Sequence, residues 1–166
     1  MHMAFVEASQ HESLVDLMHE MSVFYSEEVP VSRDDVRANL LDNLLGPASP
    51  VRLLVATDAD GTVTGLAAVA LFHSLVDPSP SRRGQLLMKE LYVREAWRGR
   101  GVGKALMSWV ARHALEHGCS RIDWNVSASN RPALAFYRSL GAQHVAGRLS
   151  YRVSGEYLSR LAGEDE

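Results

Sequence analysis

The sequence predicts an α/β or α+β fold, a mixed sheet with helices on both faces. Strand-like and helix-like periodicities alternate along the chain, and two β-like runs meet at "DADG", a hairpin signal at residues 58–61. At 166 residues and 46% hydrophobic content, one domain over residues 1–166 can bury a real core.

The elements follow in order. Residues 3–8 predict a short strand. Ser9 followed by Glu12 has the capping-box spacing and opens a helix with Leu14, Leu17, Met18 and Met21 on one face. Ser32 with Asp35 starts a second helix that runs to Leu45 and stops at Gly46 and Pro47. Residues 51–57 and 62–72 are the two strands of the hairpin, and "VDPSPSRRGQ", residues 76–85, is a loop expected to be mobile and to border the site. The apolar run 86–93 is the next strand. A helix over 101–117 then carries Val102, Leu106, Trp109, Val110 and His113 on its apolar stripe, and Gly118 ends it. Residues 121–126 predict another strand. Asn130 caps a helix with Pro132 in its first turn and Gly141 at its end. Residues 143–153 supply one or two last strands, and residues 155–162 a short terminal helix.

Charge is distributed unevenly. Residues 1–50 hold nine acids against two basic residues, and residues 81–112 hold eight basic residues against two acids. That asymmetry points to two kinds of ligand, with a solvated surface as the plain alternative. The basic segment lacks interleaved aromatics and the chain's net charge is -3, so a small polyanion fits better than nucleic acid. No apolar run reaches a membrane span and no secretory leader is visible, so the expected location is cytoplasmic, without membrane attachment. The single Cys119 agrees with a reducing compartment and reads as a small semi-buried apolar residue. The sequon at Asn125 is discounted for want of a secretory route.

The segment "EAWRGRGVGKAL", residues 95–106, concentrates the chemistry. A helix beginning at Gly101, Val102 and Gly103 leaves main-chain N–H groups unpaired at the positive end of its dipole. Glycine lets a phosphate approach them closely, and Arg98, Arg100 and Lys104 add charge. The NTPase phosphate loop does not fit, since Gly99 and Gly103 enclose three residues where four are needed, and Ala105 follows Lys104. A dinucleotide fingerprint from Gly101 would need Gly or Ala where Leu106 stands, although Asp123 has the right spacing for the ribose-binding acid.

These residues carry a family resemblance. "RGRGVGKAL" resembles the acetyl-CoA pyrophosphate loop of the GNAT acetyltransferase superfamily, "ELYV" (90–93) its central strand, and "NRPALAFYRSLGA" (130–142) its later helix motif. Within the superfamily, "RIDWNV" and "SYRVSGEYLSRLA" are most similar to the spermidine/spermine and diamine branch. The resemblance implies a GNAT fold with a mixed, mostly antiparallel sheet of six to seven strands, splayed at the central strand. It implies acetyl-CoA as cofactor, its pyrophosphate on Arg98, Gly99, Arg100, Gly101, Val102, Gly103 and Lys104, and its pantetheine arm along the main chain of Leu91, Tyr92 and Val93. It implies Tyr137 as general acid toward the departing thiolate, Asn130 as a cofactor contact as well as a helix cap, and a homodimer formed through the C-terminal strand region. No metal is expected.

A primary amine with a pKa near 10.4 is almost wholly protonated at pH 7, so transfer needs a base. Glu90 on the central strand is the candidate, with an exposed or ion-paired strand carboxylate as the alternative. Relatives in the diamine branch commonly show an acidic pair here, whereas this chain has Lys89 before Glu90; a cation pointing into the cleft would repel a dicationic polyamine or pair with Glu90. Glu27 and Glu28, in the loop that borders the acceptor cleft of relatives, favour a cationic acceptor, and His73 is a second candidate for the cleft or for the base. The expected activity is direct acetyl transfer in a ternary complex to the primary amine of a small cationic molecule, polyamine- or diamine-like or amino-acid-like. The alternatives are a protein N-terminus or lysine as acceptor, and an acyl-CoA-binding module without chemistry.

Overall fold

The structure is a computed structural model and describes residues 1–26 and 31–163. The chain divides into two compact units, Met1–Asn125 and Val126–Glu166.

In the first unit five strands lie in chain order: β1 (His2–Phe5), β2 (Arg52–Thr57), β3 (Val63–His73), β4 (Gly84–Val93) and β5 (Cys119–Asp123). The first three pairings are antiparallel and β4 pairs with β5 in parallel. The sheet is thus mixed and mostly antiparallel, as expected, but it has five strands among the described residues, not six or seven. The missing ones were assigned to residues 143–153, which alternate like a strand yet form no ladder. A lone extended segment leaves its main-chain groups without partners, so alternation alone does not make a strand.

Helices cover both faces. α1 (His11–Tyr25) and α2 (Arg33–Ala38, prolonged by a wider π-type turn over Asn39–Leu44) bury Leu14, Val15, Leu17, Met18, Val36 and Leu40 against Leu53, Val55, Leu66, Ala68 and Tyr92. The N-terminal cap lies earlier than the sequence predicts. Glu7 and Gln10 form the reciprocal box around a 3₁₀ turn at Ala8–Gln10, Glu7 N–H donating to Gln10 Oε1 at 2.9 Å, so Ser9 sits inside that turn. Ser32 does cap α2, its Oγ accepting from Asp35 N–H at 3.1 Å. Much of the acidic charge near the N-terminus is consumed between these helices. Arg33 bridges Glu12 and Asp16, Arg37 pairs with Glu12 and Asp34, and both guanidiniums hold the exposed Glu12 carboxyl down at about 2.

On the other face α3 (Val102–Glu116) packs Val102, Leu106, Val110, His113 and Ala114. Its first turns can come close to β3 because Gly65 has no side chain; a Cβ there would meet Leu106 and Val102 at 3.0 Å. β5 begins at Cys119 and ends at Asp123, starting two residues earlier than the sequence reading and ending three earlier. Cys119 is buried. The loop after His73 is knit together: Asp77 pairs with Arg82 at 2.7 Å and accepts from the Ser79 hydroxyl at 2.6 Å.

In the second unit, Asn130 Oδ1 accepts from Ala133 N–H at 3.1 Å and caps α4 (Arg131–Ser139), which ends before Gly141. α5 spans Glu156–Ala162. No described helix is long and apolar enough to cross a membrane.

Candidate active site

The site residues of the first unit gather on the second half of β4 and the loop it feeds. β4 pairs with β5 only from Gly84 to Leu87, opposite Cys119 and Asp123. Past Leu87, no described strand of this unit lies on that edge. Its other edge stays on β3 as far as Val93. The Arg94 N–H donates to Thr64 O at 3.0 Å, which fixes the phase of that ladder. Glu90 and Tyr92 therefore turn their main-chain groups to β3, while Leu91 and Val93 present theirs to the unpaired edge.

A bulge sets the side chains. Met88 faces Val69 and Glu90 faces Ala68, which leaves Lys89 as the extra residue. Without it Glu90 would share the face of Met88 and α3. With it Glu90 falls on the α1 face beside Tyr92, and Lys89 is exposed next to it. Burial pushes the half-buried Glu90 carboxyl above its usual range, opposed by the Lys89 charge. Among the described residues it has no ion pair.

The C-terminal end of α1 supplies an aromatic corner. Phe24 and Tyr25, each 55% exposed, meet edge to face at 5.0 Å, and Tyr25 lies 6.4 Å from the Tyr92 ring. Burial and then the Glu90 charge raise the Tyr25 hydroxyl above its ordinary pKa, so tyrosine and base share one electrostatic environment. Neither aromatic was assigned from sequence; the signal available was an adjacent Phe-Tyr pair closing a helix just before an acidic loop.

Among the described residues, the loop leaves main-chain N–H groups and cations unpaired at a helix start. After a single turn at Glu95–Trp97, Gly99 and Gly101 take left-handed φ values of 74° and 83°, and a Cβ on either would meet nothing within 4 Å. No side chain caps α3 and no acid lies in its first turn. The first main-chain N–H to find an acceptor inside the helix is that of Ala105, to Gly101 O at 3.0 Å, so those of Val102, Gly103 and Lys104 remain for a ligand. Arg100 lies over the Trp97 ring at 5.1 Å, and among the described residues neither Arg100 nor Lys104 forms an ion pair. Arg98 has further contacts: its Nε donates to Val93 O at 3.1 Å, and its guanidinium lies over Phe24 at 4.9 Å and Tyr92 at 5.3 Å.

Lys89, Glu90, Leu91, Tyr92, Val93 and the 98–104 loop are thus brought together. His73 is not. It is exposed and pairs with Gly84 at the opposite end of β4, five residues along β3 from Ala68, about 17 Å by strand rise. Asn130 and Tyr137 lie on α4 of the second unit, where Phe136 and Tyr137 have ring centroids 5.2 Å apart. Glu27 and Glu28 fall outside the described residues.

A loop that leaves the fourth strand of an antiparallel series disposes of the dinucleotide-binding alternative, and known proteins give it a family. A family model described as Acetyltransferase (GNAT) family matches residues 14–142. The thialysine N-epsilon-acetyltransferase of Bos taurus is 29% identical over 98% of this chain and 100% of its own length. The L-ornithine N5-acetyltransferase of Arabidopsis thaliana is 31% identical over 51% of this chain and 37% of its own. Among solved structures, an integron cassette protein from the mobile metagenome of V. cholerae superposes with a TM-score of 0.88 at 30% identity, covering 97% of this chain and 96% of that one. GNAT acetyltransferases take their acetyl group from acetyl-CoA, and the uncapped amides, free cations and open strand edge fit such a donor. The chain belongs to the acetyltransferase (GNAT) family and is an acetyl-transferring enzyme.

Proposed function

We propose that this enzyme uses acetyl-CoA to acetylate the side-chain amine of a small, amino-acid-like molecule within a ternary complex. One observation carries the reading: the desolvated Glu90, without an ion pair among the described residues, lies on the strand whose outer edge past Leu87 has no strand partner and leads into the uncapped start of α3. Amides of residues 100–104 and the cations Arg100 and Lys104 would hold the diphosphate, and the edge of Leu91 to Val93 would hold the pantetheine arm. When bound, the donor supplies an activated acetyl thioester.

Freeing a primary amine of its proton at pH 7 costs roughly 4.6 kcal/mol, from a pKa near 10.4. Glu90 takes that proton, directly or through a water, and a raised carboxyl pKa suits the task. Tyr137 donates to the departing sulfur, a role that rests on the helix motif. The acceptor class rests on three supports. Tyr25 beside the Glu90 charge suits an ammonium, the exposed Lys89 suits a carboxylate on the same molecule, and the relatives' names specify amines of thialysine and ornithine.

The test is release of CoA thiol with lysine, thialysine and ornithine, set beside putrescine, spermidine and a peptide N-terminus. Faster turnover of the amino acids than of the diamines is expected, with Tyr137→Phe lowering kcat at little change in donor KM. Preference for a diamine or a peptide would overturn the acceptor assignment. The reading extends to a homodimer formed through residues 143–153.

A further inference from the structure

One carboxylate of the first unit gathers three partners from the descent between β4 and the glycine loop. Glu20, in the third turn of α1, accepts the Tyr92 hydroxyl at 3.0 Å and the Glu95 main-chain N–H at 2.9 Å on the same Oε1, while its Oε2 lies 3.7 Å from Arg94 Nη1. Arg94 is itself held at three further points: its N–H on Thr64 O at 3.0 Å, its Nε on Val63 O at 3.1 Å and its Nη2 on Ser13 O at 3.3 Å. Ser13 closes the frame, its Oγ accepting from Val63 N–H at 2.8 Å. Side-chain exposure at Arg94 and Glu20 is only 21% and 30%, so water competes poorly with these charge-assisted bonds.

The frame ends where the loop begins. Glu95 is its last tethered residue, and Gly99 and Gly101 follow with left-handed backbones and open surroundings. Four residues after Glu20, on the same side of α1, Phe24 lies beneath the Arg98 guanidinium. α1 therefore touches the incoming segment twice, once through a carboxylate and once through a ring. Anchoring of α1 itself does not require Glu20, because Leu14, Val15, Leu17 and Met18 already bury it in the core.

We propose that Glu20 is a positioning residue for the donor: by holding Glu95 and Tyr92 it presets the course of residues 95–101, and with Phe24 under Arg98 it makes the acceptor end of α1 and the phosphate loop move as one body. The inference rests on the acetyl-CoA reading of that loop. Glu20 touches no substrate. Its loss leaves the chemistry intact and makes the donor spend binding energy on ordering the loop, so KM for the donor rises while kcat at saturation holds.

The experiment measures CoA binding by calorimetry and steady-state kinetics on the full chain. Glu20→Gln keeps an acceptor oxygen for Tyr92 and Glu95 and should stay within about threefold of the parent in donor KM. Glu20→Ala should raise both the Kd for CoA and the KM for acetyl-CoA by about tenfold or more, with kcat within about threefold. Glu20→Asp, one methylene shorter, retains the charge but withdraws it from Glu95; it should resemble the alanine variant and decides the question if that variant does not fold. In Glu20→Ala the Tyr92 hydroxyl, held up at about 12 by burial and the Glu20 carboxylate, should ionise at lower pH in an ultraviolet titration. Glu20→Ala and Glu20→Asp variants that fold and bind CoA like the parent, or that lose kcat with donor KM unchanged, overturn the proposal. A parent that binds no CoA sinks the acetyl-CoA reading and this inference with it, whereas a parent that binds alongside equally tight variants sinks this inference alone.

Discussion

Glu90 and Lys89 show how one inserted residue redirects a strand's chemistry. In the proposed base role Glu90 must be ionised, so activity should rise with pH through a folded pKa lifted by burial. Stability has the opposite sign. A raised folded pKa favours the protonated form, so this residue's contribution is present at acid pH and is lost as pH climbs through the folded value. Glu90→Gln should lower kcat/KM roughly 100-fold near pH 7 and erase the acid limb of its pH profile. Lys89→Gln should move that limb to higher pH, since the cation that opposes burial is gone; an unmoved limb would assign the base elsewhere. The place of Glu90 on β4 was legible in the sequence because the apolar run fixes that strand. Tyr25 and Glu20 were not, since Glu20 meets Tyr92 across 72 residues of chain and no local pattern encodes that contact.

At the scale of elements, the strand, loop and helix from Gly84 to Glu116 were the most legible part, because glycine, charge and apolar periodicity all act within one or two turns. The bulge was hidden, for it depends on the register with β3. The parallel corner between β4 and β5 is set by close approach: a Cβ at Gly84 would sit 2.3 Å from Gly118 O, a main-chain atom that cannot rotate away. Gly84→Ala should therefore cost roughly 2 kcal/mol and lower Tm by about 4–8 °C in thermal unfolding. A variant with the parental Tm would show that the corner relaxes freely. Such a displacement would also move the point at which β4 parts from β5.

Over the whole molecule, the excess of acid near the N-terminus promised a cationic ligand, yet Glu12, Asp16 and Asp34 are spent on Arg33 and Arg37. Net charge by segment counts groups without showing which are already paired. Residues 143–153 give the converse case. Val145, Leu149, Tyr151 and Val153 alternate with polar residues and are 50%, 78%, 88% and 45% exposed, a strand-like apolar row without a ladder among the described residues. A second copy supplying that ladder leads to an expected dimer in sedimentation velocity, with Tyr151→Glu shifting it toward monomer. A monomer at every concentration tested would remove the dimer from the proposed function.

The sequence by itself determined the uncapped, glycine-rich start of α3, the helix caps at Ser32 and Asn130 and the hairpin, because each arises from residues a few positions apart. Tertiary structure alone decided that β5 leaves β4 at Leu87, that Leu91 and Val93 face outward, and that α1 brings Glu20, Phe24 and Tyr25 to the loop. Pairing partners and packing faces are set by which distant segments bury each other's apolar surface, and that competition is settled only when the whole chain folds.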